Sequence, residues 1–192
     1  MKQVIFVKIA TIILLSFGSL GLVIGGFWIS KAASNNKQLQ LITDTSKYQE
    51  IRNHQWGNLQ QIQHLPTQIP PDAEILQMAY VAGVTPGTSS LQIRLKQPQT
   101  KIQNLLTQYK KISQRQYRGG NTNIHSNQPN GVPTTFFYTS DSETETFPSS
   151  YEILVLKAED QSQPGYKWNH GNSYGVAIDV ASSEIIYWAE KW

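Results

Sequence analysis

Apolar positions follow three rhythms along this chain: an unbroken run, two stretches at helical spacing, and several at strict alternation. The run extends from Ile9 to Ile29 (IATIILLSFGSLGLVIGGFWI) and holds no charged residue. At about 1.5 Å per residue, a helix of that length crosses a hydrocarbon core of about 30 Å. It is longer than the roughly 7–15 apolar residues of a signal-peptide core. The expectation is an uncleaved transmembrane anchor over residues 1–31, although Ser30 and Ala32 stand in small-residue positions before Ala33. Gly21 and Gly25 have a spacing that lets helix backbones approach closely, and the same spacing is frequent by chance in Gly-rich spans.

Residues 32–45 are small and polar and read as a stalk, with a single globular domain over 46–192. Ser46 and Gln49 have capping-box spacing. After them Tyr48, Ile51, Gln55, Leu59 and Ile62 recur at helical spacing as far as Pro66, and Gly57 weakens that helix by about 1 kcal/mol relative to Ala. A second helix is predicted from Lys101 to about Tyr117, where Ile102, Leu105, Leu106, Tyr109 and Ile112 form one apolar stripe and Gly119–Gly120 is the stop.

Elsewhere the period is two. AEILQMAYVA and LQIRLK flank the turn GVTPG, and Leu91, Ile93 and Leu95 share one face. TTFFYTS is a candidate strand. YEILVLKA carries a run of aliphatic residues suited to burial on both faces. YGVAIDVA and EIIYWAEKW flank a short connection at Ser182 and Ser183. Together with the anchor, these elements predict an α+β protein: an N-terminal transmembrane helix, then two amphipathic helices on a mostly antiparallel sheet of about five to six strands.

Charge alters this picture only locally. The formal net charge of +3 comes from Lys2, Lys8 and Lys31 beside the apolar run, since basic and acidic residues cancel from Ala32 onward. A neutral domain lacks the broad positive field of phosphate-driven binding, so no nucleic-acid partner is expected. The domain is nonetheless dipolar: seven basic and no acidic residues lie between Ile75 and Ser140, against nine acidic and three basic from Asp141 to the end. Flanking charge is nearly balanced across the run, and the short amino-terminal tail is the cheaper side to keep inside, which places the domain outside the cytoplasm. The absence of cysteine excludes disulfides, thiolate metal sites and cysteine nucleophiles.

The densest group of chemically capable side chains is Trp168-Asn169-His170-Gly171-Asn172-Ser173-Tyr174. His170 acting as a general base requires an orienting carboxylate, and Asp179 is the candidate, with Asn169 beside it. Against this stands turn chemistry, which asks for the same Asn and Gly residues and is the stronger expectation. His54, His64 and His125 lack ligand spacing, so neither a metal nor a cofactor is expected. Glu143 and Glu145 read as solvated loop charges. Lys110, Lys111, Arg115 and Arg118 crowd the end of the second predicted helix, where they suit its dipole and make a candidate contact with anionic lipid.

HLPTQIPPDA (His64 to Ala73) and WNHGNSYGVAID with EIIYWAE (Trp168 to Glu190) resemble a group of bacterial, cyanobacterial-type proteins with one N-terminal span. That resemblance implies a bacterial envelope protein and carries over no functional residue. The expected function is a membrane-tethered, non-enzymatic binding or structural domain, with membrane lipid as partner through residues 9–29 and a protein partner of unknown identity. Its rivals are a small hydrolase or ligand-binding enzyme at the Trp168–Tyr174 loop, and an anionic-membrane-surface sensor using the basic helix 101–118.

Overall fold

The computed structural model describes residues 40–56, 58–82, 88–120, 147–166 and 168–192. The Ile9–Ile29 run, the GVTPG turn, TTFFYTS, His125, Glu143 and Glu145 lie outside the described residues. Alternation along the chain becomes strand after strand: β1 (Gln40–Ile42), β2 (Glu74–Ala82), β3 (Ser89–Lys96), β4 (Arg115–Arg118), β5 (Glu152–Asp160), β6 (Gly171–Asp179) and β7 (Glu184–Lys191). They form one sheet in the order β1-β2-β3-β7-β6-β5-β4, antiparallel at every pairing. Among the described residues one helix exceeds five residues, α1 (Gln99–Ile112); it follows β3, and β4 to β7 then return as a meander to lie beside β3.

This corrects the expected fold class. The described protein is mainly a seven-stranded antiparallel sheet, not two long helices on five or six strands, and no helix among the described residues is long and apolar enough to cross a membrane. Two strands arise where no strand was expected. β1 comes from the segment read as stalk, so the compact unit begins at Gln40. β4 comes from the last turns of the predicted second helix. There Ser113 turns extended (φ −69°, ψ 134°), Gln114 N–H donates to the Val155 carbonyl, and the chain pairs with β5. Ladder bonds to a neighbouring strand outcompeted one more helical turn, since local propensity is a weak prior against tertiary pairing.

The first predicted helix is also broken. Asp44, not Ser46, caps it by accepting from Ser46 N–H at 3.0 Å. The run then winds as a 3-10 turn (Thr45–Lys47), a short α stretch (Tyr48–Glu50) and a π turn (Ile51–Gln55) before Trp56 goes extended. Its buried residues are Tyr48, Ile51 and Arg52, so a cation faces inward beside the expected apolar stripe. Arg52 reaches the carbonyls of Ile62 (3.4 Å) and Leu65 (3.3 Å), and Tyr48 Oη–H donates to the carbonyl of Pro66 at 2.6 Å. These bonds clasp a second 3-10 turn, Leu59–Ile62, against the first run. Carbonyls freed at the end of a short helical turn need donors, and a buried guanidinium supplies several.

Alternation gives the sheet two apolar faces. Leu91, Ile93, Leu95, Leu154, Val176, Ile178, Ile185, Tyr187 and Ala189 pack with Tyr48, Ile51, Ile62, Leu65 and Ile102 in the larger core. Ile153, Val155, Ala177, Ile186 and Trp188 point the other way and join Phe147 and Tyr151 in a smaller one. Gly175 makes room for that second core. A Cβ there would lie 2.3 Å from the Leu154 carbonyl oxygen and 2.6 Å from the Trp188 ring, so the indole lies over bare backbone.

Candidate functional site

The 168–174 segment is consumed by turn construction. Asp160 accepts from Ser162 N–H through Oδ1 and from Trp168 N–H through Oδ2, both at 3.0 Å. Trp168 adopts φ 62°, a left-handed conformation costly for a bulky residue, and its carbonyl accepts from Trp192 Nε1–H at 2.9 Å. Trp192 also pairs through its backbone with Gly171, docking the C-terminal residue. His170 uses its main chain: its N–H donates to Ser162 Oγ at 2.8 Å, and its carbonyl accepts from Gln161 N–H and Ser162 Oγ–H. Both Asn169 and His170 are exposed.

Asp179 stands at the far end of β6 from this turn. At about 3.3 Å per residue, a strand of this length separates the imidazole and the carboxylate by well over 20 Å. The carboxylate of Asp179 caps the next turn, accepting from Ala181 N–H and Ser182 Oγ–H at 2.9 Å each. The structure does not bring His170 and Asp179 together. Across the strand pair Asp179 faces Glu184, which is held by Arg94 (2.9 Å) and by the hydroxyl of Tyr151. Burial and this carboxylate together push the Tyr151 phenol well above its ordinary range, so it stays a donor.

The basic cluster is split as well. Lys110 and Lys111 end α1, and Lys110 is ion-paired with Glu152. Arg115 and Arg118 sit on β4, half-buried and exposed respectively, three residues apart and hence on opposite faces. No single basic helix face over 101–118 exists.

A different histidine joins a bare ring nitrogen to an adjoining groove. His64 follows the Leu59–Ile62 turn and packs onto the larger face of the sheet, its ring stacked on Tyr174 with centroids 5.3 Å apart and tilted toward Tyr187 at 6.3 Å. Nε2 lies 3.0 Å from the carbonyl oxygens of both Gly175 and Trp188, residues paired across β6 and β7. Carbonyls only accept, so Nε2 carries the proton and Nδ1 is the bare nitrogen of a neutral ring. Burial lowers the His64 pKa to about 4, and the Arg52 charge adds to this, against the opposing pull of the two carbonyls. Nδ1 is buried and has no hydrogen-bond partner. The Tyr109 hydroxyl donates to the carbonyl of His64 at 3.2 Å and packs edge-on against Tyr187. Desolvation raises the pKa of both phenols.

Beside this ring an open groove of about 490 Å³ runs between the 59–63 segment, α1 and the surface of β5 and β6. Gln60, Gln63 and Gln108 form its rim and are all exposed. Tyr109, Tyr174, Ile112 and Leu156 supply its apolar surface, and Ile112 is 62% exposed despite its size. His64 is the only lining residue of a type that ordinarily titrates near neutrality, and burial keeps it uncharged. The chemistry on offer is uncharged hydrogen bonding beside aromatic and aliphatic surface. Sequence reasoning passed over His64 because it sought ligand spacing, whereas the partners of its ring lie 111 and 124 residues away. The one local signal was its place after a short apolar turn and before Pro66.

Among the described residues no three His, Asp or Glu side chains come together in a way that would hold a metal ion. No family model matches the chain, and neither the curated proteins nor the solved structures give a match.

Proposed function

We propose that the domain is a non-enzymatic binding module and that its ligand lies in the groove beside His64. The observation that carries this reading is the lining itself: exposed amides on the rim, aromatic and aliphatic surface within, and a histidine held neutral. Sites for small molecules combine concave apolar surface with a few convergent polar groups, and this groove has that composition. His64 is a poor general base, since its bare Nδ1 is buried and desolvation lowers its pKa to about 4, and the phenols around it are poor proton donors and acceptors near neutral pH. The charge-free Ile9–Ile29 run supports a module held at a membrane, and the short amino-terminal tail, the cheaper side to keep inside, supports a domain outside the cytoplasm.

Fragment screening of the full chain by NMR, using neutral small solutes, tests the location. Hits are expected to shift backbone and side-chain amides of residues 60, 63, 108 and 174. Hits confined to the 161–170 turn, or scattered over the sheet, would overturn the assignment. A measurable hydrolytic turnover abolished by His170→Ala in a folded variant would favour the enzyme reading instead.

A further inference from the structure

We infer that the ligand of this groove is a neutral saccharide chain, an inference resting on the binding-module reading above. The first argument is charge. The rim groups Gln60, Gln63 and Gln108 are amides, and the histidine behind them is uncharged. An ionic ligand would leave its water shell for a surface without a counter-charge, which is unfavourable. The second is hydrogen-bond type. Each glutamine side chain both donates and accepts, as a hydroxyl group does, so a ligand with many hydroxyls finds complementary partners in either orientation. The third is the surface between the amides. Tyr109, Tyr174, Ile112 and Leu156 offer aromatic and aliphatic patches against which the C–H faces of pyranose rings bury apolar area.

Topology disfavours a peptide. Strand addition needs an open ladder, and here only a short one is open. β6 is paired on both sides and β4 covers β5 over Glu152–Val155, which among the described residues leaves the outer side of Leu156–Asp160, a stretch already interrupted by the bulge between Val155 and Lys157. A docked amphipathic helix needs a continuous apolar trough, and here the rim is glutamine. Recognition must therefore come from side chains, one ring at a time, along an open groove.

The test uses the full chain in phosphocholine micelles, which carry no sugar headgroup, titrated with cellohexaose, maltohexaose and N-acetylchitohexaose. A capped tetra-alanine peptide serves as the comparison probe. At least one oligosaccharide is expected to shift the side-chain NH₂ signals of the three glutamines in a saturable way. The apparent Kd should rise about three- to tenfold for Gln63→Ala and again for Gln108→Ala, as removal of one hydrogen bond implies. Both positions are exposed, so the variants retain the fold, which the unchanged spectrum of the core confirms. Raising the salt tenfold should leave the Kd within about a factor of two, since no ion pair is involved. If the peptide or a non-sugar fragment moves these signals and no oligosaccharide does, the saccharide assignment fails while the groove remains a binding site. If no probe moves them, both fail.

Discussion

The 161–171 turn and the His64 groove are made from the same kinds of residue, an imidazole with amides and aromatics around it, yet they are left in opposite states. In the turn, backbone groups have claimed the polar atoms. Asp160 binds two N–H groups, Ser162 binds His170 from both sides, and Trp192 takes the carbonyl of Trp168. What remains is an exposed imidazole fixed through its main chain and the buried indole N–H of Trp168, which lacks a partner. In the groove the imidazole itself is fixed, by two carbonyls of the sheet, and the amides around it are still exposed. The difference teaches that clustering of functional side chains in a polar loop is weak evidence for chemistry, because turns need those side chains for themselves. A side chain anchored from the sheet, with its neighbours unengaged, is better placed to act on something else.

The sharpest way to break the comparison is at the glycines supporting each region. Gly175→Ala would drive a methyl group into the Leu154 carbonyl and the buried Trp188 ring, and it would displace one carbonyl that holds His64. A loss of about 3 kcal/mol or more is expected in urea denaturation, at the upper end for overpacking. Gly171→Ala meets a carbonyl equally closely, but where Gly175 faces the fully buried ring of Trp188 at 2.6 Å, its other neighbour is the partly exposed ring of Trp192 at 3.1 Å. About 2 kcal/mol is expected there. Equal losses at both positions would mean that the groove side is no more tightly built than the turn.

Acidification tests the groove histidine next. The folded pKa of His64 is depressed to about 4, below its ordinary value of 6.5, so the folded state resists taking up a proton that the unfolded chain accepts. Its contribution to stability is therefore complete above pH 6.5 and is lost as the pH falls through the window down to about 4. The shift corresponds to about 3 kcal/mol across that window. Unfolding free energies measured from pH 7 to 4 should fall by roughly that much more for the native chain than for His64→Asn, which keeps an N–H donor but does not titrate. Parallel profiles would show that the ring is not held neutral.

Asp160→Ala probes the turn with a smaller effect. Removing the carboxylate strands the N–H groups of Ser162 and Trp168, the latter part-buried, and a loss of about 1–2 kcal/mol is expected in thermal unfolding. Amide exchange should rise at residues 162 and 168–170 while the groove amides stay protected. Exchange that spread into the groove would show the two regions to be one cooperative unit.

How much of this was legible in the sequence depended on how local the cause was. Leu91, Ile93 and Leu95 alternate on one strand, and each is fully buried. The pattern in EIIYWAEKW likewise divides Ile185 and Tyr187 from Ile186 and Trp188, which enter different cores. Such faces follow from the pleat alone. The π turn at Ile51–Gln55 did not, because Arg52 is drawn inward by carbonyls 10 and 13 residues further along the chain. β4 was read as helix because nothing in RQYR announces its partner on β5. His64 was missed for the same reason, since its site is assembled from β6, β7 and α1. The fingerprint WNHGNSYG was visible, and its Trp168, Gly171 and Gly175 prove to be structural: a left-handed turn residue and two glycines pressed against backbone.

His170→Ala is the smallest expected effect and the most discriminating. The imidazole is exposed, and the bonds that fix the residue run through its N–H and carbonyl, which alanine retains. Exposed substitutions away from caps and cores usually change stability by less than about 0.5 kcal/mol, so the melting temperature should move by no more than about 1–2 °C. Ligand affinity at the groove should be unchanged, because β6 carries the two regions on different stretches and Tyr174, not His170, lines the groove. A silent His170 beside a sensitive Gln108 assigns recognition to the sheet face. The reverse result, a folded His170→Ala variant that no longer binds, would return the site to the turn and require its exposed imidazole to be the group that meets the ligand.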